Sequence, residues 1–380
     1  PQFSKNGETL SKNKLSTFFR SNNKSKSLNI NSMIASENLS LNYNGSYIYA
    51  ENFMAGKSFK ESGNAASDRE FIRGDEVGSS AFKDSNHLLT LGARKDDQLF
   101  NLKIGYQKTP VQGFSNQRMD STKNEVIKIN MAYENNYNWG KLEARMFNEK
   151  TQHSHNFGKD KKLAYSMKVE GMPMNAQGHN FGFNIKADIL FSQKDLITIG
   201  SEFQRYRLND WWTRSGTGPM SPNTFQNINN GERDRLDFYA EWMKVWTPDF
   251  NSSIGIRYGQ VRSDSGTVHG YNENNSTGST THNQLNNSTA FNSSSRSKND
   301  HNIDISLLGE YIVNNEQSYE LGYAMKTRSP NLYERYTWST WMMAANMNNT
   351  YGDGNGYVGN INLNPETAHT VSFSSDWHDE

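Results

Sequence analysis

Cysteine is absent from this 380-residue chain. That removes disulfides, thiolate catalysis and zinc–thiolate sites together. Neither sign of charge is in excess, with 40 basic and 40 acidic residues. No net field draws the chain to nucleic acid. Only 34% of residues are apolar, and mean hydropathy is -0.88. No apolar run approaches the roughly 20 residues of a membrane helix. No secretory leader opens the chain, and Pro1-Gln2-Phe3-Ser4-Lys5 reads as an internal start. The end, Ser375 to Glu380, stops just after a strand pattern begins. The expectation is an internal piece of a longer protein. No Gly-x-Ser-x-Gly or His-Glu-x-x-His occurs, so no nucleophile–base set supports an enzyme. No repeat of 20–50 residues marks a solenoid or propeller.

Aromatic residues, in contrast, are plentiful at 12%: 20 Phe, 18 Tyr and 8 Trp. A disordered chain is poor in them. A polar but aromatic-rich chain fits strands with one wet face and one greasy face. Ile127, Ile129, Met131 and Tyr133 alternate with Lys128, Asn130 and Ala132. Leu142, Ala144 and Met146 alternate with Glu143 and Arg145. Phe181, Phe183, Ile185, Ala187 and Ile189 do the same, as do Tyr319, Leu321, Tyr323 and Met325. Successive strand side chains face opposite ways, so each segment can offer apolar groups to lipid and polar groups to a lumen. Counting such segments predicts roughly 12–14 strands.

Turns come in two sizes. Lys95-Asp96-Asp97, Pro248-Asp249 and Asn314-Asn315-Glu316 are short. Residues 55–85, 206–233, 263–300 and 334–363 read as long loops rich in Asn, Ser and Gly. Short turns at one end and long loops at the other mark an outer-membrane barrel. The low-complexity segment Gly266 to Asp300 reads as a mobile external loop. Trp211, Trp212 and Tyr206 read as part of an aromatic girdle at a membrane interface. The fold expected is an all-β, transmembrane antiparallel β-barrel. A soluble sandwich, propeller or solenoid is the alternative.

Three features carry chemistry. His153 and His155 are i and i+2, on one face of an extended segment, and can offer two nitrogens to a late first-row metal. The plainer reading is a polar loop with two solvated histidines. Met172-Pro173-Met174, with Met167 nearby, offers thioethers but equally fills gaps. Trp338, Trp341, Met342, Met343 and Met347 form a second Met/aromatic cluster, of the vestibule or of plain loop packing. Gly352-Asp353-Gly354-Asn355-Gly356 lacks the closing Glu of an EF-hand and the Gly-Lys-Ser/Thr of a P-loop, so it reads as a turn. Asp96-Asp97 also reads as a turn former.

The stretch Lys326-Thr327-Arg328-Ser329-Pro330-Asn331-Leu332-Tyr333-Glu334-Arg335-Tyr336, then Gly352 to Asn360, then Asn364-Pro365-Glu366, resembles the late-barrel signature of TonB-dependent outer-membrane receptors. Gln112 to Asp120, Trp139 to Arg145, His153 to Gly158 and Gly171 to Asn175 occur in that order. They resemble the copper-receptor branch, over about residues 105–373. The resemblance implies a 22-stranded barrel closed by an N-terminal plug. Residues 1–380 would be part of that one barrel domain, with plug and closing strands outside the chain. It also implies a His-x-Met pair on the barrel that helps hold copper. His153 aligns with that His, and His155 stands where the Met would be. The branch's other copper ligands, a Cys-x-x-x-Met, lie on the plug, outside this chain.

The function implied is active uptake of a metal ion in a Gram-negative outer membrane, driven through the TonB–ExbB–ExbD complex. Copper is the first expectation and nickel the next, since His-x-His without a visible thiolate or thioether partner leans toward imidazole chemistry. A ferric siderophore or haem is third. A passive porin or an adhesin is the alternative of another class. No permanently bound cofactor is expected, only the transported metal or chelate. Other implied partners are the lipid bilayer and lipopolysaccharide, with no nucleic acid. Arg328, Glu334 and Glu366 are expected to pair inside the lumen or fix the loop's return. Pro330, Asn331, Tyr333, Asn364 and Pro365 complete the structural signature.

Overall fold

A computed structural model describes residues 1–5, 7–65, 70–117, 119–161, 172–272, 284–349 and 352–378. The chain runs β1 (Leu10–Arg20), β2 (Ser25–Ala35), β3 (Leu39–Ala50), β4 (Gly63–Asn64), β5 (Phe71–Ile72), β6 (Phe82–Lys95), β7 (Gln98–Gln112), β8 (Asp120–Tyr137), β9 (Gly140–Asn156) and β10 (Met174–Leu190). It continues through β11 (Asp195–Trp212), β12 (Phe225–Thr247), β13 (Phe250–Asp264), α1 (Gln284–Ser293), β14 (Lys298–Asn314), β15 (Gln317–Arg328), α2 (Leu332–Tyr336), α3 (Met342–Met347) and β16 (Glu366–Trp377). β4 and β5 pair with each other; the other strands form one 14-stranded sheet in chain order. Every neighbouring pair is antiparallel. This is a barrel wall open between β1 and β16, not a sandwich, propeller or solenoid.

The two faces differ as alternation predicts. Ile303, Leu307, Tyr311 and Val313 of β14 and Ile254, Ile256 and Tyr258 of β13 are exposed apolar residues on the outer face. The inner face carries ion pairs, such as Glu143 with Lys141 at 2.6 Å and Lys186 at 2.8 Å. Among the described residues no helix is long and apolar enough to cross a membrane. The strands do the crossing, needing roughly 9–11 tilted residues each.

Connections alternate in length. β2–β3, β6–β7, β8–β9, β10–β11, β12–β13 and β14–β15 are joined by tight turns, while most opposite connections are long. The tight turns use left-handed backbone where required: Asp96 has φ 51° and Gly140 φ 141°. A Cβ on Gly140 would collide with the Asp188 carbonyl oxygen, so only glycine fits there. The tight end is ringed by exposed aromatics. Tyr137 stacks on Trp139 at 5.1 Å, and Trp246, Phe250, Tyr311 and Trp377 continue the band. Trp242 donates its indole N–H to Asp195 at 3.0 Å. This is the geometry of an interfacial belt, an apolar ring with a wet edge. Toward the other end, three outward tyrosines meet histidine Nδ1 atoms on neighbouring strands: Tyr43 with His87 at 2.8 Å, Tyr258 with His301 at 2.7 Å and Tyr323 with His369 at 2.9 Å.

Three sequence expectations change. The loop expected over 206–233 is shorter, because β11 runs on to Trp212 and β12 starts at Phe225. Both strands rise well past the hydrocarbon band, and ion pairs such as Arg207–Asp234 at 2.6 Å hold the extension together. Trp212 and Tyr206 are not girdle residues. Trp212 is fully buried and stacked on Phe225 at 4.5 Å, and Tyr206 packs against the same cluster. Trp211 is half-buried and is not part of that cluster. The described parts of 266–300 are ordered packing, not a mobile loop, with Val268, Tyr271 and Phe291 all buried. Residues 273–283 lie outside the described residues.

These side chains belong to a cap on the long-loop end. Met172, Leu208, Trp212, Met220, Phe225, Tyr271, Phe291, Tyr336 and Trp338 form its core. α2 is fastened by a capping box: Asn331 Oδ1 accepts from the Glu334 backbone N–H at 2.9 Å, and Glu334 accepts from the Asn331 N–H at 2.8 Å.

Candidate metal centre

β8, β9 and β10 carry the two histidines to the rim of the cap. His153 is thirteen residues on from Gly140 at the start of β9, past the length that crosses the hydrocarbon. Odd-numbered residues of β9, including Glu143, Arg145 and Glu149, face the lumen, so His153 and His155 face it too. Their Nε2 atoms point at each other within hydrogen-bonding range. The rings lie edge to face, centroids 4.2 Å apart at 73°.

Neighbouring strands orient them. His153 Nδ1 is 3.3 Å from Asn124 Oδ1 on β8. An amide oxygen only accepts, so Nδ1 is the donor and Nε2 keeps a lone pair. The Asp120 backbone holds His155 by a hydrogen bond, and Phe114 lies 6.3 Å from its ring. Burial lowers both imidazoles below the usual histidine range. His155 falls to about 4, through burial first and the neighbouring His153 second. Both are neutral at neutral pH, the form that binds metal.

Register adds a third group. Met174 stands directly opposite His155 across β9 and β10, and Trp212 stands opposite Met174 on β11. Directly opposed residues share a face, so a thioether stands beside the imidazole pair. Met172 is fully buried within the cap core. Met343 and Met347 pack against the same core, so both Met clusters of the sequence meet in one place. Met167 lies outside the described residues. Among the described residues no three His, Asp or Glu side chains converge as a metal cluster. The pair therefore needs Met174, or a group from elsewhere, to complete a coordination sphere.

The signature residues close the cap instead. Arg328 binds Glu334 through two bonds at 2.9 and 3.0 Å and Glu366 through two at 2.8 and 3.1 Å. Glu366 is its direct cross-strand partner. Pro330 is buried, while Asn364 is exposed and Pro365 half-buried at the chain's return into β16. Asp353 accepts from Asn355 at 2.8 Å and from Tyr357 at 2.5 Å. With Gly352 and Gly354 at positive φ, that segment is a turn whose carboxylate is satisfied locally.

One buried group carried no sequence signal. Asp210 lies in the cap, fully enclosed, accepting from Trp212 Nε1 at 2.9 Å, Asn227 Nδ2 at 2.8 Å and the Tyr333 hydroxyl at 3.1 Å. Burial pushes its carboxyl up to about 6, against the pull of those donors. The folded state thus keeps a proton over about pH 4–6 that the unfolded chain has released. Asp210's contribution to stability is full below that window and is lost as pH rises through 6. Tyr206, Tyr271 and Tyr333 are the titratable groups facing it. Tyr333→Phe removes a donor from an anion above pH 6 and from a neutral acid below. Expected losses are roughly 1.5–3 kcal/mol at pH 8 and 0.5–1.5 at pH 5. Thermal unfolding in detergent at both pH values checks this, and an equal loss at both contradicts it.

The description "TonB dependent receptor-like, beta-barrel" matches residues 16–380. The chain belongs to the TonB-dependent receptor family. It is therefore a β-barrel of the Gram-negative outer membrane. No curated protein matches it in sequence. Among solved structures it is similar to the copper transporter OprC, at 13% identity and a TM-score of 0.71, covering 100% of this chain and 54% of that one. It is similar to the FrpB iron transporter from Neisseria meningitidis, at 15% identity and a TM-score of 0.64, covering 97% and 52%. A Serratia marcescens hemophore receptor, HasR, solved with its hemophore HasA and heme, gives 12% identity and a TM-score of 0.61, covering 97% and 50%. At such identities the likeness is one of fold. The chain spans about half the length of these proteins.

Proposed function

We propose that the full receptor takes up a transition-metal ion, copper before nickel, across the outer membrane. The carrying observation is the facing pair of Nε2 atoms on the lumenal wall, both imidazoles neutral and oriented from behind. Two imidazole nitrogens with a thioether opposite make a mixed N/S donor set, which suits copper. Nickel follows, because the imidazoles dominate and no thiolate is available in this chain. A ferric siderophore or haem is the third reading, supported by the iron and hemophore receptors of the same fold.

In this proposal the whole protein adds a plug and closing strands to reach a 22-stranded barrel. TonB–ExbB–ExbD drives plug movement, and the metal passes without covalent chemistry. Family membership favours active uptake over a passive porin or adhesin. The test is metal accumulation by cells carrying the full-length receptor, with and without TonB. Copper or nickel accumulation that requires both is expected. Accumulation independent of TonB would point to a passive pore.

A further inference from the structure

The lumenal wall holds a second polar site, framed by β12 through β15. A cavity of about 70 Å³ is lined by Arg233, Arg235, Arg257 and Arg328, with Asp237 and Asp304 as its two carboxylates. Both carboxylates are already engaged. Asp237 meets Arg235 at 2.6 Å and Arg257 at 3.1 Å. Asp304 accepts from the Thr327 backbone N–H at 2.8 Å and stands 3.7 Å from Lys326. Arg257 also reaches Glu202, and Arg328 is closed by Glu334 and Glu366.

Arg233 is the exception. Among the described residues it has no ion pair, and its Nε, like those of Arg235, Arg257 and Arg335, is buried without a hydrogen-bond acceptor. The other carboxylate influencing Arg233, Asp300, gives Oδ1 to Arg335 and keeps Oδ2 buried without a hydrogen-bond partner. Arg235 and Arg335 add like charge beside it. A guanidinium without an ion pair on a cavity wall shared with other arginines calls for an anionic partner. The planar fork of arginine matches a carboxylate or phosphate with two parallel bonds.

We propose that Arg233 and Arg257 form a binding site for a small oxyanion, carboxylate or phosphate in class, on the lumenal wall beneath the cap. The cavity takes one such group and not a whole chelator, so the ligand inserts an anionic end. The site shares no residue with the histidine pair and stands independently of the metal reading.

The test is titration of the full-length receptor in detergent with sodium phosphate, against sodium chloride at matched ionic strength, followed by the thermal midpoint. A saturable rise specific to phosphate is expected in the parent, in His153→Ala/His155→Ala, and in a surface control, Arg73→Gln. Arg233→Gln should weaken it roughly tenfold or more, as loss of a charge-assisted bond predicts. Arg233→Lys, which keeps the charge and loses the fork, should weaken it as well and serves if the Gln variant does not fold. No saturable response in the parent, or a response in both Arg233 variants as strong as the parent's, overturns the proposal.

Discussion

His153→Ala/His155→Ala is expected to lose copper or nickel binding by at least about 100-fold, since first ligands outweigh the 10–100-fold effects of their supporting groups. The barrel itself should be unaffected. The two side chains sit on the lumenal face of β9 near its outer end, and the backbone ladder to β8 and β10 does not depend on them. Single variants should fall between, because each leaves one imidazole nitrogen and the thioether of Met174. Asn124→Ala should weaken binding about tenfold or more by freeing the His153 ring to turn. Equilibrium dialysis with each metal reads all four proteins. Undiminished binding in the double variant would reduce the pair to loop polarity.

The second large effect lies in the cap. Arg335→Ala is expected to cost roughly 3–5 kcal/mol, the penalty of stranding a buried charge. Arg335 is 1% exposed. It donates to Asp300 Oδ1 and to the Leu363 carbonyl at 2.8 Å each, and to Ser263 Oγ at 2.9 Å. Those bonds join β13, β14 and the return into β16. Removing the guanidinium leaves Asp300 nearly buried with no other hydrogen-bond donor among the described residues. Arg335→Met/Asp300→Leu, with both charges replaced, should recover most of the loss. Limited proteolysis of the 329–365 connection reports the difference. Rapid cleavage is expected in the single variant and near-parent resistance in the double. Equal resistance in all three would mean the apolar core alone holds the cap.

The wall of the barrel was legible because lipid and water impose opposite demands on alternate residues. Ile127 to Tyr133 and Phe181 to Ile189 record that directly, and 14 sheet strands fall within the expected range. Depth was not legible. Trp212 looks like a girdle residue in sequence, yet it lies on the lumenal face at the far end of β11. The true belt sits beside the tight turns, at Trp139, Trp242, Trp246 and Trp377. The cap was hidden for a different reason. Its core draws single apolar residues, Val268, Tyr271 and Phe291, from Asn- and Ser-rich segments with no periodicity to mark them. The histidine spacing was plain from i and i+2. The pairing of His155 with Met174 was not, because it depends on how the chain between β9 and β10 sets the register. Asp210 and Arg233 are charged residues in strand-like sequence, and only tertiary neighbours make them unusual.

The most direct measurement is metal analysis of the full-length receptor, purified in detergent and incubated in parallel with Cu(I), Cu(II), Ni(II) and a ferric siderophore. The account predicts that copper or nickel is retained through gel filtration by the parent and lost from His153→Ala/His155→Ala. Retention of the ferric chelate alone, equally in both proteins, would contradict it.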